Sequence, residues 1–109
     1  MHPVTPDGRY FVVKGQLWRC SNPSLDEDVR QRLVGALMAA RREVKNAKGS
    51  QDASQTKRAR AKVQAAKVAL GERGPVWWAD GSPDLNRQLV TNSPYAEWFR
   101  SLSGNPNES

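Results

Sequence analysis

The chain has 109 residues and a net charge of +6, with 38% hydrophobic residues, four Trp, one Cys and one His. That length allows one domain with a modest core, and one cysteine, Cys20, excludes an internal disulfide. No apolar run is long enough to span a bilayer, and Met1-His2-Pro3-Val4-Thr5-Pro6 lacks the basic and apolar regions of a secretion signal, so the expected compartment is the cytoplasm.

The first predicted element is a β-hairpin over 9–19. Pro6-Asp7-Gly8 is a turn signal, and Arg9-Tyr10-Phe11-Val12-Val13 is rich in aromatic and β-branched residues. Lys14-Gly15 breaks the run before Gln16-Leu17-Trp18-Arg19. A two-residue loop there pairs Val12 with Leu17 on one face and Phe11 with Trp18 on the other. Both faces carry apolar residues, and an isolated hairpin is marginal in water, so this one must lean on other parts of the chain.

A helix follows over 24–48. Ser24 and Glu27 match a capping box, and Asp26, Glu27 and Asp28 put negative charge at the positive end of the helix dipole. Gly49-Ser50-Gln51-Asp52 is a break. A second helix spans 53–71, and Pro75 forbids its continuation. Leu33, Leu37, Ala40, Val44 and Ala47 recur at steps of four and three, as do Thr56, Ala59, Val63, Ala66 and Leu70. Folding the chain back at the break pairs Leu33 with Leu70, Leu37 with Ala66, Ala40 with Val63 and Val44 with Ala59. Large faces small in three of these layers, which lets two helices approach closely.

The segment 76–102 is aromatic. Ser82-Pro83-Asp84 reads as the cap, first-turn proline and acid of a short helix, and Asn92-Ser93-Pro94 repeats that logic ahead of Tyr95-Ala96-Glu97-Trp98-Phe99. The rings suit the N-terminal hairpin, with Trp18 and Trp98 expected in the core and Trp77 or Trp78 partly exposed. The tail, 103–109, is polar and contains Pro, and is expected to be disordered. The expected fold is therefore mainly α, a single domain over 1–102: an antiparallel helical hairpin packed on a small β-hairpin and an aromatic C-terminal segment.

Asp7-Gly8-Arg9-Tyr10-Phe11-Val12-Val13, Leu17-Trp18-Arg19, Ser21-Asn22-Pro23, Gly74-Pro75-Val76-Trp77-Trp78 and Asn92-Ser93-Pro94-Tyr95 resemble a small family of uncharacterised proteobacterial proteins, some labelled as Tol-type biopolymer transport proteins. The resemblance covers nearly the whole chain up to Leu102. It implies a small single domain and brings no catalytic residue.

Enzyme chemistry finds little footing in the residues. His2 stands alone near the terminus, and no His, Cys and carboxylate set has metal-ligand spacing, so no metal or cofactor is expected. Asp80, Asp84 and Glu97 read as a turn residue, a first-turn helix acid and a solvated helix face. Cys20 reads as a small packing residue.

Charge carries the functional signal. Residues 41–73 hold ten Lys and Arg against Glu43, Asp52 and Glu72, a local charge of +7, whereas the rest sums to −1. In the antiparallel register Glu43 falls beside Lys62 on one flank, but Arg41 falls beside Arg60 on the other, with Lys48 and Lys67 further along that edge. Like charges held across a helix pair are destabilising unless a partner screens them. The expected function is non-enzymatic, sequence-independent nucleic-acid binding through Arg41, Lys48, Arg60 and Lys67, with Arg58 and Lys57. Trp77 and Trp78 are the candidate rings for stacking on bases. The alternative is a protein-interaction adaptor that docks an acidic protein surface on the helical hairpin or on an exposed Trp patch. No membrane partner is expected, and a solvated basic face with a purely structural set of tryptophans is the plainer reading of the same residues.

Overall fold

Two units make up the chain in the computed structural model, which describes residues 2–102: one joins the residues up to Cys20 with those from Trp78 onward, and the other is Ser21–Trp77. The first is built on β1 (Tyr10–Val13) and β2 (Gln16–Arg19), an antiparallel pair in the register Tyr10 with Arg19, Phe11 with Trp18, Val12 with Leu17 and Val13 with Gln16. Lys14 and Gly15 form the turn with φ of 52° and 76°. A two-residue loop with both residues left-handed matches the twist of the strands it joins.

One face of this hairpin buries Tyr10, Val12, Leu17 and Arg19, together with Thr5, Trp78 and Val90. The other carries Phe11 and Trp18, both half-buried. Trp18 is thus not the core residue expected from its ring size, because register puts it opposite Phe11 and away from Leu17. The Arg87 guanidinium lies 5.8 Å from the Trp18 ring centre instead. Trp78 takes the core position, edge-on to Tyr10 at 5.7 Å, with its indole N–H donating to the Ser82 carbonyl.

Both edges of the hairpin are covered by backbone from irregular segments. Thr5 donates to the Tyr10 carbonyl and Val12 to that of Pro3, while Leu17 donates to Gln88 O and Arg87 to Leu17 O. Capping both edges removes the unpaired donors and acceptors that make a bare hairpin unstable. The second edge also explains why Ser82-Pro83-Asp84 does not open a helix. The Leu85 N–H is taken by the Tyr10 hydroxyl at 2.8 Å, the Asn86 N–H by Asp84 Oδ1 at 3.0 Å, and Asn86 Oδ1 accepts from the Arg19 N–H at 2.9 Å. Local helix signals lose here to strand pairing: the chain turns at Asn86 and Arg87, where the Gln88 N–H donates to the Leu85 carbonyl and Arg87 has φ 74°, and reaches Leu89, which bridges to Gln16.

Asn92-Ser93-Pro94 does precede a helix, α3 (Ala96–Leu102). The Ser93 hydroxyl accepts from the Tyr95 N–H and donates to the Val90 carbonyl, and the Ser93 carbonyl accepts from Ala96. None of its residues is fully buried, so Trp98 is half-buried rather than core. Tyr95, just ahead of it, packs edge-on to Tyr10 at 5.7 Å.

The second unit is the helical hairpin. α1 runs Glu27–Gly49 and α2 Ala53–Leu70, lengths of about 35 and 27 Å. α1 starts later than its capping box suggests: the Ser24 N–H is held by Asn22 Oδ1 in a turn of its own, and Asp26 stands at the cap with no side-chain bond. Arg30 reaches back to Ser21 Oγ and Asn22 O, at 2.8 and 2.9 Å, and fixes the entry of the chain. At α2 the Asp52 carboxylate caps the helix through Gln55 N–H at 3.0 Å.

The two helices pack along the expected stripes. Leu37, Ala40 and Ala47 of α1 and Ala59, Ala66 and Leu70 of α2 are buried, with Leu25, Leu33 and Val63 packed against them. The Glu43 carboxylate meets Lys62 Nζ at 3.0 Å, the flank contact that the register requires. No described helix is long and apolar enough to cross a membrane, and the tail over 103–109 lies outside the described residues.

Candidate anion-binding edge of the helical hairpin

A helix advances 100° per residue, so side chains just off the buried stripe fall on one flank or the other. On α1 that sends Arg41 and Glu43 to opposite flanks, and on α2 it separates Arg60 from Lys62. Because the helices are antiparallel and in register, the two arginines meet on one side and the Glu43–Lys62 pair closes the other. Arg41 and Arg60 line a groove of about 370 Å³ together with Val44, Val63 and Arg73. Its described lining contains no carboxylate.

Arg73 is the member the sequence reading missed. It sits beyond α2, where two left-handed glycines, Gly71 (φ 89°) and Gly74 (φ 72°), turn the chain back. Gly71 ends α2 with its N–H on Val68 O, followed by Glu72 N–H on Lys67 O. A Cβ on Gly71 would stand 3.0 Å from Trp77 Cδ1 and 3.1 Å from Asn22 Cβ, so only glycine fits this close approach. The reversal aims Arg73 back along the flank, where Gln64 Oε1 accepts from its guanidinium at 2.7 Å. The pattern Gly71-Glu72-Arg73-Gly74 signals a chain reversal, but which flank it returns along depends on packing against Asn22 and Trp77.

The other predicted contact residues divide. Lys57 joins Arg60 in an adjoining groove of about 440 Å³, with Gln51, Ala53 and Thr56. Arg58 lies on the opposite flank, in a groove with Glu43 and Lys62, and does not join the arginine edge; two residues from Arg60 on a helix, it faces nearly the other way. Lys48 is exposed in the last turn of α1 and Lys67 half-buried in that of α2. Neither lines the arginine groove.

The stacking candidates also separate. Trp78 is 9% exposed and belongs to the other unit's core, with the Arg9 guanidinium 4.7 Å from its ring centre, so its faces are not open to a base. Trp77 is half-buried at the end of the helical hairpin.

The first unit pairs its charges closely. Arg9 bonds Asp80 at 2.5 Å, and the fully buried Arg19 guanidinium meets Asp84 at 3.2 Å. Tyr95 donates to Asp7 Oδ2 and Thr5 to Asp7 Oδ1. The hydrogen bond from Arg9, with those from Ser82, holds the Asp80 carboxyl down at about 2. Burial acts to raise Asp7, but the bonds from Tyr95, Thr5 and the Arg9 N–H outweigh it and leave this carboxyl below its ordinary value. Burial, then the bond to Asp7, pushes the Tyr95 hydroxyl well above the usual tyrosine value. These are structural ties: Asp80 and Asp84 each hold an arginine, and Glu97 is exposed on α3. No family model, curated protein or solved structure matches the chain.

Proposed function

We propose that this is a non-enzymatic cytoplasmic protein that binds nucleic acid without sequence preference, through phosphate contacts on the arginine edge of the helical hairpin. The observation that supports this reading is the convergence of Arg41, Arg60 and Arg73 on one groove whose described lining offers them no carboxylate. Guanidinium groups present planar forks that match phosphate oxygens, and an edge of cations along two helices follows a backbone without reading bases. Lys57 lines the adjoining groove with Arg60, and Lys48 and Lys67 fall two helical turns on from Arg41 and Arg60, on the same side of their helices.

Binding to a random oligonucleotide should weaken steeply with salt, the slope of log K against log salt being about −0.7 to −0.9 per phosphate contact. Replacing Arg41 and Arg60 by Gln should lower that slope by about one to two contacts. A protein-docking role is the second reading. It is favoured by the groove on the opposite flank, about 500 Å³ and lined by Leu33, Ala36, Ala39, Ala40, Ala65 and Ala66 beside Glu43 and Lys62. Absence of oligonucleotide binding at low salt would shift the assignment to that flank.

A further inference from the structure

The arginine edge is uneven along its length. At one end three arginines line a single groove, and at the other Lys57 stands with Gln51 and Thr56, the two grooves sharing Arg60. A nucleic-acid backbone carries one charge per phosphodiester, and it needs no such concentration at one point. A phosphate monoester carries about −1.5 to −2 at pH 7 and three terminal oxygens, and so can accept from several arginines at once. From this unevenness we infer that the groove of Arg41, Arg60 and Arg73 is a site for a terminal phosphate monoester of a nucleic-acid strand, the rest of which runs past Arg60 toward Lys57.

The groove is also more than a charged surface. Its remaining lining is Val44 and Val63, an aliphatic floor on which the face of the end nucleotide's sugar or base can rest. At about 370 Å³ it has room for a phosphate and part of one nucleoside, not for a duplex. Arg73, which lies beyond α2, is held by Gln64 of that helix at 2.7 Å, which leaves the rest of its donor fork for a ligand and restrains it before binding. The inference rests on the proposed nucleic-acid reading but asks a separate question, namely which chemical group the arginine cluster prefers.

The test compares one single-stranded oligonucleotide in three forms, with a 5′-phosphate, with a 3′-phosphate and with hydroxyls at both ends, on the full chain at fixed salt. The wild-type protein should bind one phosphorylated form about tenfold tighter than the hydroxyl form. Arg73→Gln should bring that ratio to within twofold, and should lower the salt slope for the hydroxyl form by no more than about one contact. Arg73→Lys, which keeps the charge and loses the fork, should recover only part of the preference. Equal wild-type affinity for all three forms would overturn the monoester site and leave backbone binding standing. A preference that survives Arg73→Gln would likewise overturn it. If no form binds at low salt, both the monoester site and the nucleic-acid reading fail.

Discussion

The β-hairpin unit and the arginine edge of the helical hairpin treat their arginines in opposite ways. In the β-hairpin unit Arg9 is bonded to Asp80 and stacked on Trp78, Arg19 is buried against Asp84, and Arg87 lies by the Trp18 ring. In the helical hairpin, Arg41 and Arg60 form no ion pair with any carboxylate among the described residues, although Glu43 sits close by in sequence and pairs with Lys62 across the opposite flank. Where arginine builds the fold, it has an acid or a ring of its own. An edge without that provision repels itself in the free protein, and a ligand anion would supply the missing counter-charge.

The largest effect should come from breaking the helical half. Val63→Asp puts a charge into the interface beside the Leu37, Ala66 and Leu70 cluster and should destabilise by about 3 kcal/mol or more, whereas Lys57→Asp, at an exposed position, should change stability by less than about 0.5. Equal shifts in thermal midpoint for the two variants would reject the packing. Gly71→Ala should follow, at about 1–3 kcal/mol, because it forces a left-handed residue and a Cβ against Trp77 and Asn22. That variant should also weaken the arginine site, since the same reversal delivers Arg73.

Acid should weaken the other half first. The folded state lowers the carboxyl groups of Asp7 and Asp80, so their stabilisation is fully present above the unfolded aspartate value of 3.8 and is lost as pH falls through the folded values, for Asp80 about 2. Asp80→Asn should flatten the pH dependence of the thermal midpoint between those limits. An unchanged acid limb would mean that the bond to Arg9 contributes nothing in solution.

The same contrast separates what could be read from the sequence. The helical stripes were legible because a helix buries residues by local spacing, so Leu33 to Ala47 and Thr56 to Leu70 declare both the elements and their register. The β1–β2 pairing was legible for the same reason, through Lys14-Gly15. The edge segments were not, because Pro3 to Thr5 and Leu85 to Leu89 are placed by hydrogen bonds to the hairpin strands and not by their own spacing, and for the second segment these overrode the helix signal of Ser82-Pro83-Asp84. Trp18 lies off the core through the β1–β2 register itself, whereas Trp78 fills it by packing on Tyr10 and bonding to Ser82, contacts that no local spacing announces. At the candidate site, Arg41 and Arg60 follow from register alone. Arg73 needed the turn at Gly71, and Arg58 was lost because position in a basic run says nothing about flank.

The double variant Arg41→Gln, Arg60→Gln tests the central claim most directly, with oligonucleotide affinity across a salt series and thermal stability measured on the same protein. The account predicts opposite signs: the salt slope falls by one to two contacts, and the free protein gains about 0.2–0.5 kcal/mol as the like-charge repulsion is removed. An unchanged slope, or a loss of stability alongside the loss of binding, would contradict it and return the arginines to the role of structural charges.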